Sequence, residues 1–75
     1  MENKFLDLFR EQFMETEADD IRFDTEFRTI PEWSSLLELC VIAMVDENYS
    51  VKLADTDIKS CTKVSDIYNI VSTRV

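Results

Sequence analysis

The sequence has no histidine, no glycine and a single proline, Pro31. Histidine is the commonest general base and a common metal ligand near neutral pH, so its absence argues against His-based catalytic triads and zinc sites. Walker A and dinucleotide-binding motifs need glycines where the backbone approaches a phosphate, so these motifs are excluded as well. The sequence therefore predicts no catalytic residue and no metal site.

The two cysteines, Cys40 and Cys61, are too far apart in sequence for a redox or zinc motif. Both have apolar neighbours, so we expect reduced thiols that are buried as small hydrophobic side chains. The first residues, Met1 to Lys4, do not resemble a signal segment, and the longest apolar run is too short to span a bilayer. We expect a cytoplasmic protein without stable membrane insertion.

Charge is strongly one-sided, with 16 acidic residues against eight basic ones and a formal net charge of −8. This charge repels nucleic acids and anionic membrane surfaces, and it favours basic protein partners. Seventy-five residues suffice for one small domain, 1–75, that buries roughly 60% of its unfolded surface. We expect this domain to be a monomer.

The stretch from Trp33 to Glu47 is predicted to form the central helix. Pro31 disfavours a helical residue before it, and two serines, Ser34 and Ser35, are typical of a helix start. The ten residues that follow them are all apolar except Glu38. Because apolar residues lie on nearly every side, we expect the rest of the chain to cover this helix on several sides.

An amphipathic helix is predicted near the N-terminus, with Asn3 as its cap and its end near Glu15 to Glu17. Its apolar positions have helical spacing: Phe5, Leu8, Phe9 and Phe13. The next segment, 18–32, is predicted to cross the outside of the bundle with a helical turn around Ala18 to Arg22. It should bury three apolar side chains whose alternation also permits a strand: Ile21, Phe23 and Phe27.

The C-terminal third is predicted to contain a brief helix capped by Asp55 and a final helix that begins near Thr62 or Lys63. The final helix should turn four residues inward: Val64, Ile67, Tyr68 and Val71. The predicted fold class is all-α, an antiparallel four-helix bundle with three longer helices and one short helix.

Ser34-Ser35-Leu36 and the apolar run behind it resemble the Asp-Ser-Leu motif and second helix of acyl carrier proteins. The resemblance continues through Asp46-Glu47-Asn48-Tyr49 and through the closing pattern at residues 61–70, and it extends from about Phe5 to Val71. Upstream, residues 23–27 resemble the loop before the motif. Two features depart from the family: Ser34 replaces the usual Asp, and the common Gly is absent near Trp33.

The resemblance implies an acyl-carrier-like bundle in which Ser35 bears a covalent 4′-phosphopantetheine. The thiol of this arm would carry acyl intermediates as thioesters for fatty acid or related polyketide or lipid biosynthesis. Implied partners are a phosphopantetheinyl transferase (holo-ACP synthase), ketosynthases and acyltransferases, which would contact Leu36, Glu38 and Glu47. The acyl chain would enter a pocket whose candidate lining is Leu39, Ile42, Ala43 and Met44, although the same residues could simply form packed core.

Two alternatives remain open. Ser35-Leu36-Leu37-Glu38 also fits a capping box, in which the Ser35 hydroxyl only caps the helix, while Ser34 could be the cap instead. As a carrier, the chain could load an amino acid as a peptidyl or D-alanyl carrier protein does. If Ser35 is only a cap, the chain would be an unmodified acidic helical adaptor that binds basic protein partners.

Overall fold

A computed structural model of the protein describes residues 2–75 and contains four α-helices and no strand in that range. The helices are α1 (Glu2–Glu11), α2 (Ser35–Tyr49), α3 (Asp55–Lys59) and α4 (Val64–Arg74). Single 3-10 turns at Ala18–Asp20 and Phe27–Thr29 lie between α1 and α2. The predicted all-α bundle with three longer helices and one short helix is confirmed. Over the described residues, no helix combines the length and the apolar character needed to cross a membrane.

The core is made only of apolar side chains, because no polar or charged side chain is buried within residues 2–75. Each large apolar side chain that is fully buried contributes about 1.5–3 kcal/mol to folding. Aromatic rings are prominent in it, and Phe27 and Trp33 meet edge to face with their centroids 4.8 Å apart. The largest fully buried side chains come from all parts of the chain: Phe5, Phe9, Ile21, Phe27, Val41, Val45, Ile58, Val64, Ile67 and Val71.

Helix α1 buries Phe5 and Phe9 of the predicted apolar positions and leaves Leu8 half-buried. It ends at Glu11, before the predicted end at residues 15–17, so the buried Phe13 lies beyond it. The carboxylate of Glu32 accepts hydrogen bonds from the N–H groups of Met14 (2.7 Å), Glu15 (3.1 Å) and Thr16 (2.9 Å). These amides are therefore unavailable to continue the helix. The predicted cap, Asn3, was also wrong, since it lies inside α1.

The segment between α1 and α2 makes the predicted helical turn and covers the bundle, with Ile21 and Phe27 buried and Phe23 half-buried. The segment does not form the alternative strand; it makes a single antiparallel β-bridge, between Glu26 and Lys63. Backbone carbonyls of this segment accept hydrogen bonds from the first amides of α4: Val64 N–H to Thr25 O (3.1 Å) and Ser65 N–H to Phe23 O (2.9 Å). The segment thus satisfies donors that a helix start leaves unpaired.

Helices α3 and α4 are both started by an aspartate in their first turn. Asp57 accepts from the N–H of Ala54 (2.8 Å), and Asp66 accepts from the N–H groups of Thr62 and Lys63 (both 2.9 Å). The predicted cap Asp55 was wrong, because Asp55 is already the first residue of α3. Helix α4 begins one residue after the predicted Lys63 and turns the predicted side chains inward, with Tyr68 only half-buried.

Four charged side chains tie remote segments together at the rim of the bundle, and we call them the perimeter links: Arg10, Arg28, Glu32 and Arg74. Arg10 of α1 donates from Nε to the backbone carbonyl of Ile21 (2.8 Å). Glu32 holds the end of α1, as described above. Arg28 donates to the backbone carbonyls of Ile58 (2.7 Å) and Cys61. Arg74, in the last turn of α4, makes two hydrogen bonds of 2.9 Å with the Asp57 carboxylate of α3.

Candidate functional site

Ser35 is the first residue of α2 and is exposed to solvent. The cap position belongs to Ser34, whose extended backbone places its Oγ 3.2 Å from the N–H of Leu37, from which it accepts a hydrogen bond. The capping-box interpretation of Ser35 was therefore wrong. Within residues 2–75, no side-chain hydrogen bond involves the Ser35 hydroxyl, so this group is free to react.

The N-terminal end of α2 favours a negatively charged group. The backbone N–H groups of Ser35 and Leu36 have no acceptor in the part of the chain that the structure describes. They point out of the positive end of a 15-residue helix. A phosphate ester on the Ser35 hydroxyl fits these surroundings, because the adjacent amides can donate to its oxygens.

One side of α2 is not covered by the rest of the chain, contrary to the prediction. Leu36 is 70% exposed and Leu39 is 61% exposed. The buried side is a single stripe at helical spacing: Leu37, Val41, Met44 and Val45. The count of apolar residues was therefore misleading, because the side chains of Leu36 and Leu39 stay exposed while the rest of the chain covers the stripe opposite them.

Glu38 lies half-buried between α2 and α3, where its carboxyl group is in hydrogen-bond contact with that of Asp55. This contact, together with burial, raises the pKa of Glu38, while the same contact and the Lys59 ammonium, 2.9 Å away, lower the pKa of Asp55. Of the three predicted partner contacts, Leu36 and Glu47 are exposed, whereas Glu38 is engaged with α3.

A groove of about 280 Å³ runs between α1 and α2, which we call the α1–α2 groove. The predicted acyl-pocket residues do not line one space: Ala43 and Met44 lie on this groove, Leu39 is exposed and Ile42 packs against the core. The complete lining of the groove is Leu8, Glu11, Gln12, Cys40, Ala43, Met44, Glu47 and Asn48.

The two cysteines differ in their environment, and both are free thiols. Cys61 is 2% exposed, as predicted, and burial raises the pKa of its thiol. Cys40 is only half-buried and lines the α1–α2 groove, so the expectation of full burial was wrong for it. Its spacing from Leu36, Ala43 and Glu47, which places all four on one side of a helix, was the signal that could have shown this.

No cluster of three or more side chains suited to a metal ion occurs among residues 2–75. No family model, curated protein or solved structure matches the chain. The residues at the start of α2 and their geometry are thus the basis for a functional interpretation.

Proposed function

We propose that this protein is an acyl carrier protein whose Ser35 carries 4′-phosphopantetheine. The observation that supports this most directly is the exposed Ser35 hydroxyl on the first residue of α2. Its neighbour Ser34 makes the capping hydrogen bond, so modification of Ser35 would leave the helix start intact. The motif resemblance nominates the same serine.

In the proposed modification, the Ser35 oxygen attacks the β-phosphorus of coenzyme A on a phosphopantetheinyl transferase. A new O–P bond forms, the P–O bond to adenosine 3′,5′-bisphosphate breaks, and the hydroxyl proton passes to a base of the transferase. The N–H groups of Ser35 and Leu36 and the dipole of α2 stabilise the resulting phosphodiester by about 0.3–1 kcal/mol. The attached arm supplies a thiol that holds an acyl group as a thioester.

In this proposal the chain does not catalyse a reaction; it presents the arm and its bound intermediate to other enzymes. A covalent arm on an exposed helix end raises the effective concentration of the bound intermediate at each enzyme that the carrier visits. The proposed partners are the transferase and acyl-processing enzymes such as ketosynthases and acyltransferases, in fatty acid or related polyketide or lipid biosynthesis. The exposed side chains of Leu36, Leu39 and Glu47 form the proposed contact surface, and the charge of −8 favours basic partners.

Intact-mass measurement tests this proposal. The protein is incubated with coenzyme A and a broad-specificity phosphopantetheinyl transferase, beside an established carrier protein as a positive control. We expect a gain of one phosphopantetheine in the wild type and in Ser34→Ala, and no gain in Ser35→Ala. If the positive control gains mass and the wild type does not, the carrier proposal is wrong; if only Ser34→Ala fails to gain mass, Ser34 is the modified serine.

The second candidate is an unmodified acidic adaptor, which the exposed Leu36 and Leu39 favour because such a surface can bind a partner without any arm. In that case the mass would not change, and Ser35→Ala would bind basic partners as the wild type does.

A further inference from the structure

Two side-chain amides of the α1–α2 groove have unused acceptors. The Gln12 Nε2 group donates to the backbone carbonyl of Leu8 (2.9 Å), and the Asn48 Nδ2 group donates to that of Met44 (2.9 Å). Each bond uses one N–H of the side-chain NH₂ group and leaves the side-chain carbonyl oxygen facing away from that backbone acceptor. Within residues 2–75 neither side-chain carbonyl accepts a hydrogen bond, so both are available to a ligand in the groove.

The remaining lining makes the groove rich in acceptors. Glu11 and Glu47 add two carboxylates, and the lining contains no lysine or arginine. A hydrocarbon chain in this groove would separate these oxygens from water without replacing their hydrogen bonds, which is costly. A neutral chain with amide N–H and hydroxyl donors suits the groove, while Leu8, Met44 and Ala43 provide apolar contact.

The groove can be reached from Ser35. With a rise of 1.5 Å per residue, Cys40 lies about 7.5 Å and Glu47 about 18 Å along α2 from Ser35. Leu36, adjacent to Ser35, shares a helix face with Cys40, Ala43 and Glu47. A phosphate held at the start of α2 therefore lies at the opposite end of the helix from the Glu47 carboxylate. The uncharged part of a chain attached to this phosphate can extend along the helix face that carries Leu36, Cys40 and Ala43.

Building on the function proposed above, we infer that the α1–α2 groove holds the pantetheine part of the arm on Ser35. The arm has two amide N–H groups and a hydroxyl, and these three donors have acceptors among the free oxygens of Gln12, Asn48, Glu11 and Glu47. The groove volume of about 280 Å³ is close to the lower end of small-molecule pockets, roughly 300 Å³. The arm thus rests beside Cys40 between visits to partner enzymes.

The Cys40 thiol reports occupancy of the groove. The protein is loaded by a transferase with a coenzyme A analogue whose terminal thiol is replaced by hydrogen, so the arm adds no thiol. Alkylation by iodoacetamide, a neutral reagent, is then followed by mass spectrometry at Cys40, while Cys61 is 2% exposed and protected by the fold. An arm that occupies the groove two-thirds of the time leaves Cys40 open one-third of the time and slows its alkylation about threefold.

Matched variants test the hydrogen bonds themselves. The double variant with Gln12→Leu and Asn48→Leu removes both free carbonyls and should abolish the slowing, whereas Gln12→Glu keeps an acceptor and should retain it. Ser35→Ala, treated identically, should show no change in rate. Equal Cys40 rates in fully loaded and unloaded wild type would overturn the groove assignment and leave the carrier function standing. Slowing that persists in the double variant would also overturn it, and failure to load would overturn both proposals.

Discussion

The Oγ atom of Ser34 accepts a hydrogen bond from the N–H of Leu37 at 3.2 Å, and this bond separates the roles of two adjacent serines. Ser34 satisfies one of the amides that the start of α2 leaves unpaired. Ser35, one residue later, is exposed and is not needed for that bond. The structural serine and the proposed reactive serine can therefore be told apart by experiment.

Ser34→Ala should lower the free energy of unfolding by about 1 kcal/mol, because it removes the N-cap of α2. Ser35→Ala should change the free energy of unfolding by less than about 0.5 kcal/mol, since the side chain is exposed and makes no capping bond. Urea denaturation followed by circular dichroism measures both values. A larger loss in Ser35→Ala than in Ser34→Ala would contradict the assignment of the cap.

Glu32→Gln should destabilise the protein at neutral pH, because the carboxylate accepts from three successive backbone N–H groups and a side-chain amide cannot accept as many bonds. The N–H of Met14 is the main cause that lowers the pKa of Glu32, so this stabilisation is present above the ordinary glutamate pKa and is lost as the pH falls through the lowered value.

Thermal unfolding of wild type and Glu32→Gln between pH 7 and pH 3 should show a difference that shrinks on acidification. Glu17→Gln is the matched control, since Glu17 is exposed and makes no side-chain cap bond in the same loop. A difference that does not depend on pH would exclude the charged carboxylate as its source.

Glu38→Gln should stabilise the protein at neutral pH. Contact with Asp55 and burial raise the pKa of Glu38 in the folded protein. The stabilisation that protonated Glu38 provides is therefore fully present below the pKa of the unfolded chain, and it is lost as the pH rises through the raised pKa of the folded protein. Glutamine keeps a donor for Asp55 and does not ionise. The stability of the variant should therefore exceed that of the wild type at pH 7 and approach it near pH 4, as chemical denaturation at both pH values can show.

Ser50→Gly should raise the free energy of unfolding by about 0.5 kcal/mol. Ser50 ends α2 with φ 56° and ψ 32°, a left-handed conformation that costs a residue with a Cβ about 1 kcal/mol, partly offset by the greater entropy of unfolded glycine. Ser60→Gly is the comparison: Ser60 follows α3 at φ −80°, so glycine relieves no strain there, and the substitution also removes the 2.7 Å hydrogen bond from Ser60 Oγ to the Asp57 carbonyl, so it should destabilise the protein. If both substitutions destabilise equally in urea, the strain at Ser50 is not relieved by glycine.

The apolar periodicity of the sequence was sufficient to predict α1 and α4, because each of them buries a stripe that is encoded locally, whereas α2 was predicted from its two serines and the apolar run behind them. The end of α1 could not be predicted in this way, since it depends on Glu32, which is distant in sequence. The exposure of Leu39 could not be predicted either, because a sequence shows which residues are apolar but not which side of their helix another segment of the chain covers. Asp55 was predicted to cap α3, but the carboxylate that accepts from the N–H of Ala54 belongs to Asp57, and only the backbone geometry shows this.

The perimeter links also bear on how this small domain could be redesigned. No polar or charged residue is buried within residues 2–75, and the buried hydroxyl of Tyr49 makes no hydrogen bond there. The interior therefore has no polar side-chain pair that fixes how the helices are rotated against one another. Interior side chains should accordingly tolerate simultaneous exchange for other apolar residues of similar total volume. The orientation of the segments would then depend on a few charged side chains at the rim, so a library that randomises the interior should keep Arg10, Arg28, Glu32 and Arg74 unchanged.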